Sequence, residues 1–253
     1  MITLGMELEY RAPQRHRHGR ARTLANGIQI QSGWCDEDWC MPPATARLRR
    51  KVYPIQTQQP RGNPRWQVVE DGSISGYNRG AELRTPWGAI QDWRDRYFPD
   101  LAWLLQRLRE EGWEAHRSCG WHVHVGVTGG WRAQPRLLVP VIQTLLPWLE
   151  AIEMEDPAWE SRANYCRWWG PGEQIAVGRW MEDIQEGGRF PIAMPIHDRY
   201  RALNLWSLQY HNTLEIRRWN SRLDLDTMWD RLHSLAELLT DAVAEAEQPV
   251  ITH

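Results

Sequence analysis

The stretch Gly120-Trp121-His122-Val123-His124-Val125-Gly126-Val127 decides the fold. Trp121, Val123, Val125 and Val127 recur at every second position, while Gly120, His122, His124 and Gly126 take the alternate ones. A strand with this spacing has one apolar face and one face of imidazoles flanked by glycine. Toward the N-terminus the same split returns: Ile2, Leu4, Met6, Leu8 and Tyr10 alternate with Thr3, Gly5, Glu7 and Glu9. Toward the C-terminus, Thr213 to Arg217 sets Leu214 and Ile216 against Glu215 and Arg217, and Gly80 to Arg84 sets Ala81 and Leu83 against Glu82 and Arg84. Strands that each back an ionisable face with an apolar one predict a sheet packed on helices, with a shared polar site on the other face. That is an α+β arrangement.

Three segments carry helical spacing. Asp92 to Trp113 has apolar Phe98, Leu101, Trp103, Leu104, Leu105 and Leu108 between charges, with Pro99 near its start and Gly112 suited to its end. Leu137 to Met154 reads as a more buried helix, and Leu225 to Ala246 as a third. Stretches near 11–65 and 156–197 are rich in Pro, Gly, Arg and Trp without clean periodicity, and are expected to be irregular insertions. No repeat or flexible linker divides the 253 residues, so a single domain over 1–253 is expected.

With 42% hydrophobic and 25% charged residues, the chain is neither disordered nor fibrous. The longest tempting apolar run, Leu137 to Leu149, has 13 residues and two prolines, too short to span a bilayer. Met1 to Glu7 carries an acid where a secretory signal would be apolar, so a cytoplasmic protein is expected, with no membrane partner. The net charge of −2 argues against nucleic acid as a partner. Arg11, Arg15, Arg17, Arg20 and Arg22 crowd an early segment that reads first as a solvated loop, with an anionic substrate as the alternative. Cys35, Cys40, Cys119 and Cys166 read as free thiols. Cys35 and Cys40 have no second pair to complete a zinc site, and Cys119 falls on the wrong side of its strand to act with either histidine.

A Glu-x-Glu or His-x-His strand alone is more often a solvated face than a site. Small neighbours change the balance: Gly5 beside Glu7 and Glu9, and Gly120 and Gly126 beside the histidines, leave room for a ligand on the sheet. Three or four carboxylates and a histidine form a hard, oxygen-rich set suited to Mg²⁺ or Mn²⁺.

Read in order, Gly5-Met6-Glu7-Leu8-Glu9, Glu70-Asp71-Gly72-Ser73-Ile74, Gly80-Ala81-Glu82-Leu83, Ser118 to Gly126, Arg201-Ala202-Leu203-Asn204 and Thr213-Leu214-Glu215-Ile216-Arg217 resemble the amidoligase family. That family is a branch of the carboxylate–amine ligases sharing the catalytic fold of glutamine synthetase and glutamate–cysteine ligase. The resemblance covers about residues 2 to 240 and implies a curved, mostly antiparallel sheet with helices on one face and the active site on the other. It implies metal ligands at Glu7, Glu9, Glu82, His122 and Glu215, a nucleotide-phosphate contact at His124, and phosphate-binding arginines at Arg201 and Arg217. Catalytic roles would thus fall to Arg201, Arg217 and Glu215. Asn204 and Asp71 match the pattern without an assigned role, and no residue identifies itself as the base for the amine.

The implied cofactors are ATP and Mg²⁺ (or Mn²⁺), and the implied partners a carboxylate donor and an amine acceptor, each a small molecule, peptide or modified polymer. Transfer of the γ-phosphoryl group would convert the carboxylate to an acyl phosphate that the amine attacks, with water excluded. Trp159, Trp168, Trp169 and Trp180 read as packing of their loop, with a lid over the site as the alternative. Two other readings keep the fold: a phosphotransferase of the guanidino-kinase type and a nucleotide-binding module without catalysis. Related folds often assemble, so an oligomer is compatible with the sequence.

Overall fold

The computed structural model describes residues 1–11, 67–71, 80–110, 112–116, 119–155, 166–187, 189–190, 193–221 and 224–247. The insertion expected near 11–65 and the first part of that near 156–197 lie outside these residues, as do Cys35, Cys40 and Trp159. In chain order the strands are β1 (Ile2–Arg11), β2 (Gln67–Asp71), β3 (Gly80–Arg84), β4 (Gly120–Val127), β5 (Leu203–Asn204) and β6 (Leu214–Asn220). The helices are α1 (Ile90–Asp92), α2 (Phe98–Glu110), α3 (Pro135–Glu155), α4 (Pro171–Gly187), α5 (Ser207–Tyr210) and α6 (Leu225–Ala246). The fold is α+β, with antiparallel strand pairs in a sheet that does not close. Among the described residues no helix is long and apolar enough to cross a membrane.

The chain divides into two compact units: one of Met1–Leu4, Val123–Arg218 and Asp230–His253, the other of Gly5–His122 and Trp219–Trp229. In the second, the strand order is β2-β3-β1-β4-β6. Its core gathers Met6, Leu8, Tyr10, Trp93 and Trp121, with the Trp121 and Trp219 rings stacked 4.7 Å apart. The buried leucines of α2, at 101, 104, 105 and 108, show the three- and four-residue spacing of an amphipathic helix. A π-helical turn, Trp93–Tyr97, joins α1 to α2, with Phe98 N–H donating to the Trp93 carbonyl. Pro99 follows at once. Its missing N–H would interrupt an α-helical ladder here, and the wider turn accommodates that loss.

In the first unit the strand order is β1-β4-β6-β5. Here α3 buries Leu138, Val139, Val141, Ile142, Leu145 and Leu149 completely, despite Pro140 and Pro147 inside it. The region near 156–197, expected to be irregular, contains the 17-residue helix α4. Pro171 opens α4 and Gly187 closes it, and Val177, Trp180 and Ile184 form its buried stripe. Gly172 and Gly178 on its other positions obscure that stripe in the sequence. Trp169 and Trp180 are buried, and the Trp169 indole N–H donates to the Leu203 carbonyl at 3.1 Å, which fits packing of these rings.

Candidate active site

Two clusters of charged side chains stand out, one in each unit. In the first cluster the antiparallel register of β1 and β3 sets Glu9 opposite Glu82 and Glu7 opposite Arg84. Direct cross-strand partners have Cβ atoms about 5 Å apart, so two opposed carboxylates destabilise the pair unless something offsets their charge. Glu9 is 3% exposed; its Oε2 accepts the Gly120 N–H at 2.5 Å, and its Oε1 lies 3.6 Å from His122 Nε2. Glu7 Oε2 lies 3.5 Å from His122 Nδ1, so the buried imidazole is bracketed by a carboxylate at each nitrogen. Arg84 Nε reaches Glu82 at 2.6 Å and Glu7 at 3.4 Å, but its side chain is 44% exposed.

The electrostatic result is clearest at Glu82. Burial, then the charge of Glu7, push its carboxyl up to about 7 against the opposing pull of Arg84. Near neutral pH this cluster therefore holds a proton where a cation would serve better. Three carboxylates and an imidazole form a hard donor set that fits Mg²⁺ or Mn²⁺. The structure corrects one expectation about space: a Cβ at Gly5 would meet the Trp87 indole at 3.0 Å, so that ring takes the room expected for a ligand. Gly120 contributes its N–H to Glu9, a role its sequence position did not suggest.

In the second cluster, β5 and β6 pair with Asn204 opposite Glu215. The Asn204 amide donates to Glu215 Oε2 at 2.6 Å, and Arg217 Nη1 donates to Glu215 Oε1 at 2.5 Å. The Asn204 side-chain oxygen accepts the Trp206 N–H at 2.9 Å, which holds the amide in place. Asn204, matched to the family pattern without a role, thus orients Glu215. His124 is 6% exposed, with Nδ1 3.0 Å from Thr213 Oγ1. A His124 nitrogen and a Glu215 oxygen lie within 4.8 Å of each other. Arg217 also lies over the Tyr200 ring, 5.9 Å from its centroid.

Arg201 sits in an ion network of the same unit. Glu173, on the first turn of α4, takes its Nη2 at 2.6 Å and its Nε at 3.0 Å, and Asp198 takes Nη1 at 2.5 Å. The hydrogen bond to Glu173 raises the guanidinium further above its ordinary value, against burial. The same bond is the main cause holding Glu173 below the usual carboxylate range; for Asp198, burial opposes a net lowering by the Tyr200 N–H and the two arginines. Neither carboxylate carries a sequence motif: Glu173 lies in the stretch without clean periodicity and Asp198 just after it.

Glu7, Glu9, Glu82 and His122 are thus brought together in one unit, and His124, Glu215 and Arg217 in the other, while Arg201 is held by two carboxylates. Sequence reasoning missed Ser207, whose hydroxyl lies 2.9 Å from that of Thr213. Cys119 and Cys166 are buried cysteines outside any disulfide. Comparison with curated proteins finds no match. A family profile described as "putative amidoligase enzyme" matches residues 1–232, which takes in every described member of both clusters. The chain therefore belongs to the putative amidoligase enzyme family, a family of ligase type.

Proposed function

We propose that this protein is an ATP-dependent carboxylate–amine ligase of the cytoplasm, built on the glutamine synthetase catalytic fold with helices on one sheet face and the active site on the other. The observation that carries this reading is the bracketing of His122 by Glu7 and Glu9, with Glu82 opposite Glu9 and pushed up to about 7 by burial and Glu7. Opposed acids in a buried place, in a chain of this family, are suited to a divalent cation and its anionic substrate.

In this proposal Glu7, Glu9, Glu82 and His122 of one unit are ligands for Mg²⁺ or Mn²⁺, and Glu215 of the other unit is likewise a metal ligand. Such an ion would offset the charge on phosphate oxygens during transfer. His124 and Arg217 contact the ATP phosphates, and Asn204 keeps Glu215 oriented. Arg201 joins them by exchanging a Glu173 or Asp198 oxygen for a phosphate oxygen. A donor carboxylate oxygen attacks the γ-phosphorus and ADP leaves; the amine then attacks the acyl carbon, and phosphate leaves carrying that oxygen. Donor and amine are small molecules, peptides or a modified polymer.

The test is to incubate the protein with ATP, Mg²⁺, amines and ¹⁸O-labelled carboxylates, and to analyse phosphate by mass. The expected product is inorganic phosphate bearing one ¹⁸O, formed together with an amide. A phosphorylated acceptor without inorganic phosphate would establish the guanidino-kinase type of chemistry instead. Nucleotide binding without turnover across the panel would favour a module that has lost catalysis.

A further inference from the structure

The two carboxylates on Arg201 are themselves held by different means. Glu173 is the third residue of α4, which opens at Pro171, and its Oε2 accepts the Gly170 N–H at 2.8 Å. That bond is one half of a capping box, in which an acid on the third helical residue reaches back to the N–H just before the helix. The carboxylate so fixed lies along one edge of the guanidinium: Oε1 accepts Nη2 at 2.6 Å and Nε at 3.0 Å, and Oε2 is 3.1 Å from Nε. Asp198 meets Arg201 at Nη1, at 2.5 Å, and the same oxygen accepts Arg167 Nη2 at 3.0 Å. Its other oxygen accepts the Tyr200 N–H at 2.8 Å. Arg167 is anchored beside Arg201, since the two form a parallel bridge and the Ala202 N–H donates to the Arg167 carbonyl at 2.9 Å.

A guanidinium has five N–H groups. Glu173 takes the one on Nε and one on Nη2, Asp198 takes one on Nη1, and the Tyr200 carbonyl lies 3.3 Å from Nη1. Among the described residues that leaves one N–H, on Nη2, so an oxyanion that binds Arg201 through two must displace a carboxylate. The Glu173 and Asp198 side chains are about equally exposed, 28% and 31%, so the partners each would keep decide which one leaves. Glu173 would keep the Gly170 N–H and lose its cation. Asp198 would keep the Tyr200 N–H and the Arg167 guanidinium, so its charge stays paired. Stranding a carboxylate without a cation costs more than passing it to a second one.

We infer that Glu173 is a positioning residue that stays on Arg201 when phosphate binds, while Asp198 yields Nη1 and passes to Arg167. The inference rests on the ligase reading above, which brings Arg201 to the ATP phosphates. Release of Asp198 gives the guanidinium an N–H on each Nη, the pair that bidentate phosphate recognition uses. Glu173 then fixes the plane of that fork from the start of α4, and Asp198 is the competitor that phosphate must displace. Arg167 acts through Asp198 alone.

The experiment titrates the full chain with a non-hydrolysable ATP analogue in Mg²⁺ and compares affinities, each variant first checked for folding by tryptophan fluorescence. Loss of two acids from one arginine should act in opposite directions. Glu173→Gln should bind the analogue about tenfold more weakly. Asp198→Asn, which removes the competing charge, should bind it about fivefold more tightly. Arg167→Ala should weaken binding in the wild type and do nothing in Asp198→Asn. In an Arg201→Ala background Glu173→Gln and Asp198→Asn should both be silent, whereas a loss at Glu173 that persists there marks a purely structural role and overturns the inference. A Glu173→Gln protein that binds as well as or better than the wild type overturns it, as does an Asp198→Asn protein that binds no more tightly. If Glu173→Gln does not fold, the directions in Asp198→Asn and Arg167→Ala decide. A wild type that binds no analogue, or an Arg201→Ala protein that binds it as well as the wild type, refutes the use of Arg201 in the ligase reading and the inference with it. The wrong direction at Glu173 or Asp198, in a protein that needs Arg201, overturns the inference alone.

Discussion

Replacing Glu82 by glutamine should stabilise the metal-free protein and impair its use of metal. Glu82 releases its proton near 4.5 when unfolded and near 7 when folded, chiefly because burial and Glu7 disfavour its charge. Between those values the folded protein binds more protons than the unfolded chain, so stability falls as pH rises from about 4.5 to about 7 and is level outside that window. At about 1.4 kcal/mol per pH unit, this amounts to about 3 kcal/mol. Glutamine carries no charge to bury, and losing the ion pair with the half-exposed Arg84 offsets at most about 1 kcal/mol. A net gain of about 2 kcal/mol at pH 8 corresponds to about 4–8 °C in Tm for a chain of this size. Thermal unfolding followed by tryptophan fluorescence from pH 4 to 8 in chelator measures it. The two proteins should converge near pH 4 and separate toward pH 8. With Mg²⁺ at about 100 times its dissociation constant, the wild type should regain about 2.7 kcal/mol and the variant less. A wild type whose Tm does not fall between pH 5 and 8 without metal, or a variant with no advantage at pH 8, would refute this electrostatic account.

Thr85→Val should cost about 1–3 kcal/mol in urea unfolding, because the Thr85 hydroxyl accepts the buried Met6 N–H at 2.8 Å and valine leaves that donor unmet. Gly5→Ala should cost about 1–3 kcal/mol by the same assay, since its Cβ would press the Trp87 ring at 3.0 Å. Arg201→Ala should destabilise the protein at neutral pH by about 2 kcal/mol, by taking the shared cation from Glu173 and Asp198. Both carboxyls are held below their ordinary values, so their contribution is present above those values and lost as acid protonates them; the gap between wild type and variant should close in acid.

The parts of the fold that follow from side-chain alternation were legible. Gly80–Arg84 and Leu225–Ala246 fall where their spacing predicts, and β1, β4 and β6 differ from expectation only at their ends. Helix α4 was obscured because its buried stripe of Val177, Trp180 and Ile184 is interleaved with glycines. The π-helical turn before α2 was not legible either, although Pro99 marks where the ladder must loosen. In the candidate site, alternation placed the ionisable residues on shared faces but carries no register between strands. The opposition of Glu9 to Glu82, and of Asn204 to Glu215, appears only once the strands pair. The clasp on Arg201 depends on a helix and a loop residue, neither of which has a local signal of partnership.

The central claim is that the acid cluster and the His124–Glu215–Arg217 group serve one metal-dependent nucleotide reaction. Calorimetric titration of the protein with a non-hydrolysable ATP analogue, with Mg²⁺ and then in chelator, tests it most directly, using Glu7→Gln and Arg217→Ala as comparisons. Saturable binding that requires Mg²⁺ and is lost or weakened at least tenfold in both variants is the predicted result. Binding of equal strength in chelator, or binding that neither substitution alters, would contradict the claim.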